Sequence, residues 1–369
     1  MTKKAFYLFI VLYILALFYV AIELPIGPNE AKVFYTDTKL LHFMTHLCYG
    51  WFGNGLDFRL PFLLFGLLNI YLFFLMSKNY CKEKEYSFLA TTIFALLPGI
   101  ITASVIVNIA VFVITIVLEF LILHAKKQIV WQGVVMLLLL FIHDASVIFF
   151  ISLSIYFAFK RDSKLFGIAI IFTAISLLYF NGLDIGGKPK GKFLELFGLY
   201  VALFSPLVFI YFFYALYRIW IKEKKDILWY ISFTAFSLSI LLSLRQQVIM
   251  TDFAPYVIVA VVLMLVTYHK TLFVRLPQFQ KNYILGYKIV ISTLVFSSLI
   301  ILFHKPLFYL LDDKSKHFAY PFYQPYWLTL ELTKKEQNCY TAKSRKMQYQ
   351  LKYYGISECK DRDVPKIHN

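Results

Sequence analysis

The chain has 369 residues, 60% of them hydrophobic, 19% aromatic and only 16% charged. A soluble domain runs nearer 45–50% apolar and about 25% charged, so composition excludes a soluble enzyme and indicates an all-α polytopic membrane protein. The formal net charge of +16 does not make it a nucleic-acid binder, because the cations lie in short connections between apolar runs and in the C-terminal segment, where topology and anionic lipid head groups account for them.

Apolar runs predict spans at about 5–22, 60–77, 87–98, 104–123, 129–142, 145–159, 165–180, 196–219, 227–243, 253–268 and 289–303. Several are shorter than the roughly 17–25 residues of a full crossing. The break between the third and fourth rests on Leu97-Pro98-Gly99, since Pro and Gly interrupt a helix. The break between the fifth and sixth rests on His143-Asp144, a polar pair that is costly inside a bilayer. The first run lacks a small-residue cleavage pattern and reads as a span rather than a removed leader. With Lys3 and Lys4 cytoplasmic, 18 Lys and Arg fall in inner segments and 7 in outer loops, and the other 12 of the 37 follow Phe303. That bias fits about eleven spans, N-terminus inside and C-terminus outside. The expected division is a transmembrane domain over 1–303, with a long first outer loop at 23–59, and a small outer tail over 304–369.

The first loop opens with ELPIGPNEAKVFYT, residues 23–36. Acids this close to a bilayer, Glu23 and Glu30, are costly unless they face water, a cation or a substrate. Glu30 is expected at the mouth of an active site on the far side of the membrane, and a solvated loop acid is the plainer reading. Leu40–Leu47 is expected as a short helix on the membrane plane, with His42 and His46 as interfacial polar residues rather than metal ligands. His143 and Asp144 either line a site or mark a turn. Lys188, Lys190 and Lys192 lie in a Gly- and Lys-rich stretch that either meets a phosphate or is an ordinary loop. Arg245, at the end of an apolar run, offers a planar fork to a phosphate, with snorkelling to head groups as its alternative. In the tail, Cys339 and Cys359 are expected to form a disulfide in an oxidising compartment, worth roughly 3 kcal/mol. The tail's tyrosines either stack on glycan or pack on the outer loops.

Three stretches carry a family resemblance: Asn29-Glu30-Ala31 with Phe34-Tyr35 after it, Trp51-Phe52-Gly53, and Arg59-Leu60-Pro61 opening the second span, with Leu96-Leu97-Pro98 downstream. Their order resembles the GT-C membrane glycosyltransferases, in the bacterial branch near the protein mannosyltransferases and the lipid A aminoarabinose transferase. The likeness covers roughly the first 125 residues and then fades to a shared span pattern. It implies a GT-C-like bundle in a bacterial inner membrane. The implied reaction moves a sugar from a polyprenyl-phosphate donor to a lipid, glycan or protein acceptor at the periplasmic face. Cationic side chains or a divalent cation would neutralise the leaving phosphate. Arg59 matches a family position and is a candidate for the donor phosphate or an interfacial anchor. Two positions depart from the pattern: Asn29 stands where the family has an aspartate, and Asn108 where a second acid is expected. An amide cannot act as a general base, so Glu30 would serve alone or with Glu23, Asp37 or Asp144. A catalytically degenerate relative, or a polysaccharide-assembly or flippase-type protein, is the alternative.

Overall fold

The computed structural model describes residues 2–37, 39–81, 83–179 and 191–359. Among these residues regular structure is helical, apart from one isolated bridge between Cys339 and Ser357. Lys188 and Lys190, with most of the stretch that holds them, lie outside the described residues.

The first four helices are α1 (Lys3–Glu23), α2 (Pro28–Thr36), α3 (Leu40–His46) and α4 (Leu56–Ser77). α2 starts with Pro28, whose missing N–H and fixed φ suit a first helical position. α5 (Lys84–Leu96) stops at Leu97, which is extended at φ −61°, ψ 129° because proline follows. α6 (Pro98–Val105) leaves at 63° to α5, and α7 (Ala110–Ala125) follows after a second break. α8 (Ile129–Ile142) ends at the extended His143, and a single 3-10 turn over Asp144–Ser146 leads into α9 (Val147–Lys160). Both breaks expected from the sequence, at Pro98 and at His143-Asp144, are present.

After α10 (Ser163–Tyr179), the run expected as one span over 196–219 is two helices, α11 (Phe193–Phe204) and α12 (Pro206–Lys222), bent by 105°. Ser205 makes the corner at φ 75°, a left-handed conformation unusual for a residue with a Cβ. Pro206 starts the next helix. α13 (Ile227–Ser243) is capped by Asp226, whose Oδ1 accepts from Trp229 N–H at 3.0 Å. α14 (Met250–Ile258) and α15 (Val261–Val274) together form a 25-residue apolar helix, and α16 (Pro277–Leu302) is 26 residues long. α17 (Tyr320–Lys334) and α18 (Arg345–Tyr353) are the last helices of the described residues.

Among the described residues four helices are long and apolar enough to cross a membrane: α1, α4, α14–α15 and α16. The number is up to six if α5–α6 and α11–α12 are each one bent span. That is fewer than the eleven read from hydropathy. The reason is length: α7, α8, α10 and α13 are apolar but hold 14–17 residues, about 21–26 Å at 1.5 Å per residue against a hydrocarbon core of about 30 Å. α16 starts twelve residues before the expected 289, because Gln, Lys and Asn suit a helix although they lower hydropathy. α1 and α16 leave Leu8, Leu12, Leu15, Phe296 and Leu299 exposed, a surface suited to lipid.

The chain forms two compact units. One holds residues 1–13, 65–103 and 108–299; the other holds 14–64, 104–107 and 300–369. The stretch 23–59 thus shares a unit with the segment that follows residue 300. The larger unit has an aromatic core, with Phe73 stacked on Phe94 at 4.0 Å and Tyr268 on Tyr287 at 3.9 Å. Some of its buried polar groups pair across helices: Asn69 donates to Val111 O at 2.9 Å and accepts from Thr115 at 2.7 Å.

In the smaller unit, Cys339 and Cys359 are disulfide-bonded, as expected. The bond closes a loop with a sequence separation of 20, which on chain-entropy grounds stabilises the tail by about 3 kcal/mol. Replacing Cys359 with Ser should make the tail protease-sensitive in oxidising buffer while leaving the apolar helices protected, as read by peptide mapping. Two tail histidines add a pH dependence. His304 bonds Tyr323 Oη at 2.9 Å, and His317 stacks on Phe308 at 3.7 Å. Burial lowers both below the ordinary 6.5. Their contribution is therefore complete above pH 6.5 and is lost as pH falls through the folded-state values. Limited proteolysis from pH 7.5 down to 5 should show the tail opening as pH falls, and His317→Phe should flatten that dependence.

Candidate functional site

The centre of the smaller unit is a buried ion pair between Glu30 and Arg59, 1% and 0% exposed. It joins two helix ends. Glu30 is the third residue of α2, and its Oε2 accepts from Gly27 N–H at 2.7 Å, the carboxylate half of a capping box. Arg59, in the first turns of α4, reaches the C-terminal end of α1. Nη1 donates to Ala21 O at 3.1 Å and Leu24 O at 2.5 Å, and Nη2 donates to Pro25 O at 2.9 Å. The pair is bidentate, Nε to Oε1 at 3.0 Å and Nη2 to Oε2 at 2.5 Å. Val107 N–H, between α6 and α7, donates to Oε1 at 3.0 Å. Each charge lies at the favourable end of a helix, the cation at a C-terminus and the anion at an N-terminus. Gly27 is required beside it, since a Cβ there would lie 2.6 Å from Phe322 Cε1.

This geometry corrects the expected roles. A carboxylate has about four acceptor positions and a guanidinium five N–H donors, and every one is taken. Glu30 has no lone pair left for an acceptor's proton, and Arg59 has no N–H left for a donor phosphate. The pair is an anchor for the loop.

The neighbouring motif is anchored in the same way. Asp57, 3% exposed, accepts from the backbone N–H groups of Gly50, Phe52 and Gly53 at 3.0, 2.7 and 3.1 Å. It thereby fixes the turn through Trp51-Phe52-Gly53. Sequence reading missed Asp57, although the Gly-rich turn just before it was visible. The tail closes over the loop: Gln350 Nε2 donates to Ile26 O at 2.7 Å and Pro321 O at 3.1 Å, and Tyr354 Oη accepts from Ile26 N–H at 3.1 Å. Burial pushes the Tyr354 hydroxyl up to about 12, so it stays protonated at neutral pH. Phe34 meets Tyr353 edge-on at 5.8 Å, and Tyr35 stacks near Tyr349. These tail tyrosines pack on the first loop, the second of the two roles expected for them.

The other polar candidates of the loop are engaged as well. Asn29 is exposed and accepts from Lys346 Nζ at 2.8 Å. Glu23 is paired with Lys305, and Asp37 accepts from Lys39 N–H at 3.1 Å. α3 forms where an interfacial helix was expected. His42 Nδ1 lies against Val33 O and His46 Nδ1 against His42 O.

The larger unit gathers the remaining candidates at one end. His143 Nε2 lies 3.7 Å from Asp252 Oδ1, joining the α8–α9 corner to the first turn of α14. Lys192 N–H donates to Ser243 O at 3.1 Å, joining the start of α11 to the end of α13. Its ammonium reaches Gln247 Oε1 at 3.1 Å and Glu195 at 3.3 Å. Arg245 is exposed in the connection between α13 and α14. Asn108 Oδ1 accepts from Ala110 N–H at 2.9 Å and so serves as a turn former ahead of α7. Asp252 was overlooked as a candidate: it ends the stretch flagged for Arg245, but its partner is 109 residues earlier.

Removing one partner of a fully buried ion pair costs about 3–5 kcal/mol, because the other charge is left uncompensated. Glu30→Gln and Arg59→Met should each sharply lower the melting temperature of the purified chain in detergent. The double variant should lose less than the sum of the two. A Glu30→Gln protein with unchanged melting would contradict the anchoring role. In comparisons with known proteins, no family model matches the chain and no curated protein does.

Proposed function

We propose that the chain is a membrane glycosyltransferase of the GT-C type. In this reading it moves a sugar from a polyprenyl-phosphate donor to a lipid, glycan or protein acceptor at the outer face of a bacterial inner membrane. In this reading the shorter apolar helices, with the four to six long ones, make up about eleven membrane segments. One observation carries the reading. Glu30 and Arg59, which the resemblance singles out separately, form one bidentate pair, and the Trp51-Phe52-Gly53 turn is fixed by Asp57 at the head of the helix that bears Arg59. Stretches that matter to each other in the fold are the stretches that carry the likeness.

In this reading the first loop is scaffold and the reacting groups lie elsewhere. The departing phosphate is met by Lys192 and Arg245, which share one end of the larger unit with His143 and Asp252. A divalent cation would supply further charge neutralisation; among the described residues no group of three or more His, Cys, Asp or Glu is placed to hold one. A second reading, a relative that keeps the scaffold without the reaction, is favoured by Asn29. Its amide cannot take a proton, and it accepts from Lys346.

The test is mass spectrometry of lipid A, surface glycans and glycoproteins from cells with and without the gene. A sugar present only with the gene, and lost on Lys192→Ala with Arg245→Ala, supports the transferase. Identical glycan profiles in both strains favour the scaffold-only reading.

A further inference from the structure

We infer that Asp252, positioned by His143, is the proton-accepting group of the larger unit and takes the proton of the acceptor hydroxyl. The inference rests on the transferase reading for the identity of the reaction, but the proton-accepting pair can be tested by itself.

Asp252 is the third residue of α14, in its first turn. Its side chain is 31% exposed, unlike that of Glu30, so part of the carboxylate remains reachable. Thr251 Oγ1 donates to Oδ1 at 3.3 Å. His143 is 4% exposed and sets its Nε2 against the same oxygen at 3.7 Å. That contact is longer than a hydrogen bond, and the backbone of Thr251 also lies against the His143 ring. Nδ1 has no hydrogen-bond partner. One turn along the same helix, Tyr256 is fully buried, its ring 6.3 Å from that of His143 and its hydroxyl also without a hydrogen bond. A buried polar atom without a partner costs about 1–3 kcal/mol. Two of them beside a half-open carboxylate, in an otherwise apolar bundle, point to a hydroxyl-bearing ligand.

The stretch from Arg245 to Asp252 then holds both charges the reaction needs, a cation for phosphate and an anion for the proton. The acceptor's O–H proton passes to Asp252. The freed electron pair forms the bond to the sugar's anomeric carbon, and the bond from that carbon to the phosphate oxygen breaks with its pair leaving on the phosphate. Glu30 has no part in the step. His143 acts as a positioning residue, holding the carboxylate and tuning its proton affinity.

Two measurements test this. In cells lacking the gene and complemented with variants at matched protein levels, Asp252→Asn should lower the sugar product about 100-fold or more, the contribution typical of a general base. Full product with Asp252→Asn overturns the inference and leaves the transferase reading intact; no product with the unaltered chain overturns the transferase reading. The second measurement needs no reaction. The purified full chain in lipid nanodiscs is treated with dicyclohexylcarbodiimide, which attacks protonated carboxyls in apolar surroundings, and Asp252 modification is read by peptide mass spectrometry from pH 5 to 8. Labelling of Asp252 that falls with rising pH, with a midpoint displaced by His143→Gln, is the expected result. Absence of labelling, or a midpoint indifferent to His143→Gln, overturns the pair whatever the transfer assay shows.

Discussion

A single ion pair organises the smaller unit. Glu30 and Arg59 are buried at a cost of several kcal/mol each in lost hydration, and they persist because every donor and acceptor they own has a partner. The pair terminates α1, starts α2, fixes the first turns of α4 and ties in the break between α6 and α7. Four pieces of chain that could not individually bury their polar ends do so together. What looks from composition like a polar loop between two spans is a rigid knot.

The knot changes how a charged residue near a bilayer should be read. Burial next to a membrane usually marks a functional acid, and Glu30 has the position and the motif for it. Counting hydrogen bonds separates the two roles: a catalytic carboxylate needs an unoccupied lone pair, and an anchoring one uses them all. Asp57 stands nearer Glu30 by this count, with three of about four acceptor positions taken by backbone N–H groups. Asp252 falls on the other side, with part of its carboxylate reachable. Both classes were visible as acids in the chain, and only the fold sorted them.

Much of the local structure was legible in the sequence. Pro98 and His143-Asp144 announced their breaks, since ring chemistry and bilayer polarity act on the residues themselves. The cysteine pair in the one segment rich in polar residues announced its bond. The misses came from partners distant in the chain. Glu30 and Arg59 were both singled out, 29 residues apart, yet were given separate roles because periodicity does not report pairing. The corner at Ser205 was missed although Pro206 follows it, because proline at a first helical position continues an apolar run as readily as it breaks one. Fewer described helices reach the length of a crossing than the eleven apolar runs marked, because hydropathy sees apolarity and is blind to helices that end after 14 residues.

The hydrogen bonds of Ile26 set an order of events. Its N–H is satisfied by Tyr354 and its carbonyl by Gln350, partners 328 and 324 residues later in the chain. At a synthesis rate of roughly 5–20 residues per second, the first loop waits roughly 20–60 s for the segment that completes it. During that interval water must stand in for the missing side chains. The knot is finished only once residues 350 and 354 have been made, so the first loop and the segment around α18 mature as one event.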